Sequence, residues 1–336
     1  MQKKFTIKDI AKKAGVSHTV VSIILNKKEN ERVFVSEKKK EEILELIERY
    51  GYIPRKSARD LASQRTNTIG LIFQRLTPYF SSLVEELQKQ AFKKGLEIMP
   101  YITEGYPERE EGYLNLMRDG RVDGVITTAF VEGSPARYLK FSSFPYNLKI
   151  VTIGPPVENI PSIYFDEEEA GRIAASHLTE IGCKRLCFFG GVRESGRAEG
   201  FVKFKEERLP SPLVFTGEKF VGYFHEGEKL AKEFFKLKEL PDGVFASNDL
   251  LAVALLSEVL KRGLKIPENL AIMGCDNTEV CLHSYPGLTS IDVNISLTAQ
   301  IALEKLIDFI NGKEVKPLHT TIPIKLVERE STKKGG

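Results

Sequence analysis

Two groups of side chains in this chain have types and spacing that could recognise a partner. The first lies in TIKDIAKKAGVSHTVVSIILN, Thr6 to Asn26, where His18, Thr19, Ser22 and Ile23 fall on the side facing away from a periodic apolar stripe. The second is dispersed, but each member stands just after an apolar run that reads as a strand: Tyr79, Phe80, Thr128, Arg197, Asn248, Asp249 and Asp276. Aromatic faces beside planar charged forks and amides suit a sugar, whose CH face stacks while its hydroxyls meet bidentate partners. Taken singly, Tyr79 or Phe80 fits a core position, and Asp249 fits a cap on the helix LLAVALLSEVL. As a set they point to a crevice.

Catalysis finds no comparable set. His225, His283 and His319 are scattered, and no Ser/His/Asp or paired-carboxylate arrangement stands near them. The glycines of GGVRESGR lack the GxGxxG spacing of a dinucleotide site. Cys183, Cys187, Cys275 and Cys281 form neither a CxxC pair nor a zinc pattern, so packing is their expected role. Neither an enzyme, a cofactor nor a metal is expected.

The elements that would position these groups follow from periodicity. Ile7, Ile10, Ala11 and Ala14 repeat at helical intervals, Gly15 breaks the pattern, and Ser17 can cap a second helix whose Val20, Val21 and Ile24 return to the first. Ile43, Ile47 and Tyr50, with Leu44 and Leu46 alongside, make a third helix after a Ser36 cap. Such spacing fits a helix-turn-helix or a helical hairpin with no nucleic-acid role. Charge favours the first. Residues 1 to 65 hold 16 Lys plus Arg against 9 Asp plus Glu, which leaves 33 against 37 from the chain totals of 49 and 46. A basic end on a mildly acidic body is a local footprint for phosphate.

Beyond it, PRKSARDLASQRTN (Pro54 to Asn67) is basic and short of core material, a helix too brief to stand alone or a solvated linker. From Thr68 apolar runs alternate with amphipathic helices. Strands are expected at 69–73, 96–101, 124–128, 149–153, 185–189, 243–246 and 270–273, and helices near 80–94 and 108–118. Alternation of this kind implies parallel sheets covered on both faces, with ligands outside the carboxyl ends of the strands. No apolar run is long enough to span a membrane and no signal core opens the chain, so a cytoplasmic protein is expected.

At several places the sequence resembles the LacI/GalR family of bacterial transcriptional regulators. The residues that carry this are Thr6, Asp9, Ile10, Ala11, AGVS at 14–17, Val21, Ser22, Asn26, GYIP at 51–54 and LVERES at 326–331. The resemblance implies an all-α helix-turn-helix headpiece at 1–53 and a hinge helix at 54–66. It also implies an α/β effector-binding and dimerisation core at 67–336, two-lobed like periplasmic sugar-binding proteins, with crossovers near 155–165 and 285–325. It assigns His18 and Thr19 to base edges, and Thr6, Ser17, Ser22 and Asn26 to phosphates. Ala58 and Leu61 belong to the minor-groove wedge of the hinge. Effector contacts fall on Tyr79, Phe80, Thr128, Arg197, Asn248 and Asp276, with Arg193 and either Tyr223 or Phe224 as further members.

Three departures qualify the resemblance. Val20 stands where a Thr is common, Ile23 where an Arg commonly reads guanine, and Gly154 where many relatives carry Asp. The second exchanges a bidentate donor for an apolar contact suited to a thymine methyl, so an atypical operator half-site is expected.

The resulting expectation is a homodimeric, effector-responsive regulator, a repressor, on a near-palindromic double-stranded operator. A sugar or small glycoside is its expected effector, and a nucleobase-type corepressor the alternative. A solute-binding protein without gene regulation would share the core but have no use for residues 1 to 60. No leucine heptad extends past Ser331, which speaks against a coiled-coil tetramer.

Overall fold

A computed structural model describes residues 5–25, 35–50, 65–128, 130–190, 196–204, 211–216 and 224–333. The chain divides into two compact units, Met1–Thr66 and Asn67–Gly336.

Among the described residues the first unit holds three helices, α1 (Ile7–Ala14), α2 (His18–Leu25) and α3 (Glu37–Arg49). Thr6 and Asp9 form a reciprocal capping box at the start of α1, and Gly15, at φ +65, supplies the left-handed residue that ends it. Ser17 and Ser36 accept from Val20 N–H and Lys39 N–H to open α2 and α3. Ile10, Ala11, Ala14, Val21, Ile24 and Ile43 form the core, with Val20, Leu46, Ile47 and Tyr50 packed on it. Leu44 is exposed instead.

The second unit is built on two six-stranded sheets. Its strands are β1 (Thr68–Phe73), β2 (Glu97–Ile102), β3 (Gly124–Thr127), β4 (Ile150–Ile153), β5 (Ser162–Phe165), β6 (Leu186–Phe189), β7 (Leu213–Phe215), β8 (Gly243–Ala246), β9 (Ala271–Cys275), β10 (Thr289–Asp292), β11 (His319–Ile322) and β12 (Lys325–Val327). Its helices are α4 (Pro78–Lys93), α5 (Pro107–Leu116), α6 (Ser134–Ser142), α7 (Glu167–Glu180), α8 (Gly196–Lys203), α9 (Phe224–Phe234), α10 (Asp249–Lys261), α11 (Val280–His283) and α12 (Ile295–Ile310). The first sheet runs β11-β5-β4-β3-β1-β2 and the second β12-β10-β9-β8-β6-β7. All pairings are parallel except β10 with β12.

Burial on both faces explains why the inner strands are continuous apolar runs. Ile69, Leu71 and Phe73 of β1 join one cluster and Ile72 the opposite one. In β6, Cys187 and Phe189 face one way, Leu186 and Phe188 the other. All four cysteines are free and buried.

The chain passes between the lobes three times. It leaves the first sheet after Phe165, returns between β10 and α12, and leaves again between β11 and β12. Helix α12 packs its Ala299, Ala302, Leu303 and Leu306 into the core of the first lobe. No helix among the described residues is long and apolar enough to cross a membrane.

Candidate functional site

In the helical unit, α2 presents Ser17, His18 and Thr19 exposed at its N-terminal end, with Ser22 and Ile23 half-buried. Val20, also half-buried, packs against the helical core. Among the described residues Ile23 is not part of that cluster. Thr6 is engaged within its own capping box. Its only hydroxyl proton goes to Asp9 Oδ2 at 2.7 Å, so a phosphate contact from Thr6 requires that bond to break. Asn26, Ala58 and Leu61 lie outside the described residues.

In the second unit a cleft of 770 Å³ opens between the lobes, lined by residues that follow the carboxyl ends of the strands. Tyr79, Phe80, Thr128, Arg197, Asn248 and Asp276 all line it. Thr77 caps α4 through Phe80 N–H, and Pro78 opens the first turn. This holds Tyr79 and Phe80 together, rings 5.1 Å apart and edge to face. Both are half-buried and also pack on the lobe cores, so the core role and the cleft role coincide. Thr128 follows β3, and its Oγ1 is buried with no hydrogen-bond partner among the described residues. A buried hydroxyl in that state is costly and is best satisfied by a ligand or water.

Arg197 is the organising charge. Its Nε donates to Glu167 Oε2 at 2.7 Å, its Nη1 to the Ser247 carbonyl at 2.5 Å, and Nη1 also lies 3.4 Å from Asp276 Oδ1. The guanidinium stands 5.1 Å over the Phe165 ring. Asp276 takes a left-handed φ of +105, strain of the kind that persists only where surrounding structure enforces it. Burial pushes its carboxyl up to about 8; Arg197 opposes this, while Asp249 and Glu167 add to it.

Asn248, not Asp249, caps α10: its Oδ1 accepts from Leu251 N–H at 2.9 Å. Asp249 is the first helical residue, buried and held by Ser290 Oγ at 2.5 Å and by the N–H and hydroxyl of Thr278 at 2.7 and 2.9 Å. Burial raises its pKa as well. The Asn248 amide nitrogen has no partner among the described residues and lines the cleft.

Arg193 and Tyr223 fall outside the described residues, and Phe224 begins α9 with its side chain undescribed. Glu167, Phe165 and Phe130 line the cleft without having been expected there. Among the described residues no cluster of His, Cys, Asp and Glu is placed to hold a metal.

Comparison with known proteins agrees with this architecture. Residues 6–55 match the bacterial regulatory proteins of the lacI family, and residues 175–332 the periplasmic binding protein-like domain. The ribose operon repressor of Halalkalibacterium halodurans is 31% identical, the alignment covering 98% of each chain. The HTH-type transcriptional repressor PurR of Mannheimia succiniciproducens is 28% identical over 98% of this chain and 99% of that one. In fold, the lac repressor dimer bound to operator and the anti-inducer ONPF superimposes with a TM-score of 0.83 at 22% identity, covering 98% and 99% of the two chains. With its helix-turn-helix unit and its two α/β lobes, the chain belongs to the LacI family, DNA-binding transcriptional repressors and not enzymes.

Proposed function

We propose that the chain is a homodimeric repressor whose affinity for a near-palindromic operator is set by a polyhydroxylated effector, a sugar or small glycoside, held between the lobes. The observation that carries this is the cleft itself. It gathers Tyr79, Phe80, Thr128, Arg197, Asn248 and Asp276, an aromatic platform facing a charged fork and amide. Sugar hydroxyls can donate to Asp276, accept from Asn248 and Arg197, and complete the unpartnered Thr128 hydroxyl. The ribose operon repressor among the relatives supports a sugar.

On DNA, His18 and Thr19 would read base edges while Ser17, Ser22 and Asn26 hold phosphates. Ala58 and Leu61 would enter the minor groove from a hinge at 54–66. Two copies are required because matched half-sites mirror a twofold dimer. Effector closing the lobes and operator ordering the hinges are then linked reciprocally. Such a protein works in the cytoplasm, beside the chromosome.

A nucleobase corepressor is the second reading, favoured by the PurR relatives and by the guanidinium lying over Phe165.

The test is binding to a near-palindromic DNA library over a range of salt, with and without a panel of sugars and nucleobases. Specific binding that falls steeply with salt and shifts with one sugar is the expected result. A shift with nucleobases alone selects the second reading. Sequence-indifferent binding that no ligand alters overturns both.

A further inference from the structure

Gly154, at the end of β4, has φ +139, and a Cβ built there would lie 2.5 Å from Phe130 Cε2 and 3.0 Å from Cδ2. The Phe130 ring therefore fills the space that a side chain at 154 would occupy, and both residues line the cleft. Residues 130 and 154 thus offer a ligand an aromatic ring and no hydrogen-bonding side chain.

Phe130 is also held in place. Its ring meets Tyr138 edge to face, with centroids 6.0 Å apart. The Tyr138 hydroxyl donates to Glu110 Oε1 at 2.5 Å, and Arg137 Nε donates to Oε2 at 2.6 Å. Ser134 Oγ donates to the same carboxylate at 2.9 Å and accepts from Val131 N–H at 2.9 Å. Glu110 is wholly buried. Three donors from α6 thus converge on one carboxylate of α5, and the bond to Val131 ties in the loop that carries Phe130. Buried polar networks satisfied in this way make local structure rigid.

The first lobe lines the cleft with Tyr79, Phe80, Phe130, Ile153 and Pro155 beside polar Gln74, Arg75, Thr77 and Thr128, and the second lobe gives Arg197, Asn248 and Asp276; the apolar stretch is local to Phe130, Ile153, Gly154 and Pro155. The CH face of a monosaccharide can stack on the Tyr79 and Phe80 platform, but the hydroxyls of its edges turned to Phe130 would lose water without gaining a side-chain partner from residues 130 or 154. The cavity volume also lies at the scale of a drug-sized ligand rather than one small ring.

We infer that Phe130, positioned through Tyr138 by Glu110, is a specificity-determining residue that selects an effector with an apolar or planar substituent on its sugar. A glycoside with an apolar aglycone and a nucleoside share that chemistry. The inference rests on the polyhydroxylated-effector reading above.

The test uses the full chain and calorimetric titration with matched probes: methyl and phenyl glycosides of the common pentoses and hexoses, and ribose against nucleosides. At least one substituted probe should bind about tenfold more tightly than its partner, as expected of an added aromatic contact. Which pair shows the preference distinguishes glycoside from nucleoside. Phe130→Ala should bring the ratio towards one, and Glu110→Gln should lower it by less. Phe130→Leu, which keeps an apolar group over Gly154, should retain part of the preference and carries the test if the alanine variant does not fold. Equal affinities within every pair, or a preference that survives in the Phe130 variants, overturns the inference and leaves the effector reading standing. If no sugar or nucleoside binds, that reading fails and the inference falls with it.

Discussion

Asp276 carries the clearest consequence at the scale of single residues. Its pKa of about 8, against an ordinary 3.8, means the folded chain keeps a proton that the unfolded chain has released. The stability contributed by this group is therefore fully present below about 4, and is lost as pH rises through about 8. Effector binding has the opposite sign, because a hydroxyl donor is held best by the ionised carboxylate. Affinity for a neutral polyol should rise as pH climbs through about 8, and calorimetry on Asp276→Asn should show a flat and weaker profile. Ile23 offers a second test, since among the described residues it lies outside the helical core. Ile23→Arg should leave the melting temperature of the first unit unchanged and raise preference for guanine at one operator position. A bidentate pair of that kind is worth about 1–3 kcal/mol, measurable by base-resolved selection. Indifference to guanine in the variant would mean that residue 23 does not reach the base edges.

Among the elements, α7 and α8 approach so closely that their glycines carry functional geometry. A Cβ at Gly171 would meet the Arg197 carbonyl at 2.2 Å, and one at Gly200 the Glu168 carbonyl at 1.9 Å. Both contacts are with backbone, so the helices must separate to admit a methyl group. Gly200→Ala should cost about 1–3 kcal/mol of stability, as overpacking does. It should also weaken effector binding, by moving Arg197 away from Glu167 and Asp276. Asn248 separates its two roles by substitution. Asn248→Ser keeps a capping oxygen and should hold the melting temperature while losing the amide donor; Asn248→Ala should cost about 1 kcal/mol as well. Most elements legible in the sequence are those buried on both faces, such as β1 and β8, whose apolar runs are continuous; the exposed edge strand β2 is legible as well, from its own run of mostly apolar residues. Strands β5 (SIYF), β7 (LVF), β10 (TSID), β11 (HTTI) and β12 (KLV) escape because they are short or mix polar residues into the run. Ser162 in β5 is buried because its hydroxyl accepts from Thr152 Oγ1 at 2.8 Å and Val157 N–H at 3.1 Å and donates to the Ile160 carbonyl at 3.0 Å, partners that an apolar pattern does not reveal. With β5 illegible, its last residue Phe165 and the following Glu167 are illegible as cleft residues too. Phe130 was hidden differently, as an apolar residue in a loop whose importance comes from the empty position at Gly154.

Across the whole molecule, β2 closes one edge of the first sheet and leaves Met99 and Ile102 exposed, while Phe92 on α4 is 83% exposed. An apolar edge with no further strand on it among the described residues is a natural seat for the second copy of the proposed dimer. Phe92→Glu with Met99→Lys should yield a monomer by sedimentation and should abolish tight binding to a palindromic site while leaving weak half-site binding. An intact dimer in that variant would place the interface elsewhere. The three passages between the lobes also govern how the chain is made. Helix α12 and strand β11, residues 295–310 and 319–322, complete the first lobe but are translated after most of the second. At about 5–20 residues per second, a ribosome needs about 8 to 30 s to travel from the end of β5 to the end of β11. Throughout that interval the nascent first sheet lacks the helix that covers Ile126 and Val151. The growing polypeptide is thus an aggregation hazard and a natural client for chaperones. Fragments ending near residue 165 should be insoluble even though five of the first sheet's six strands are present.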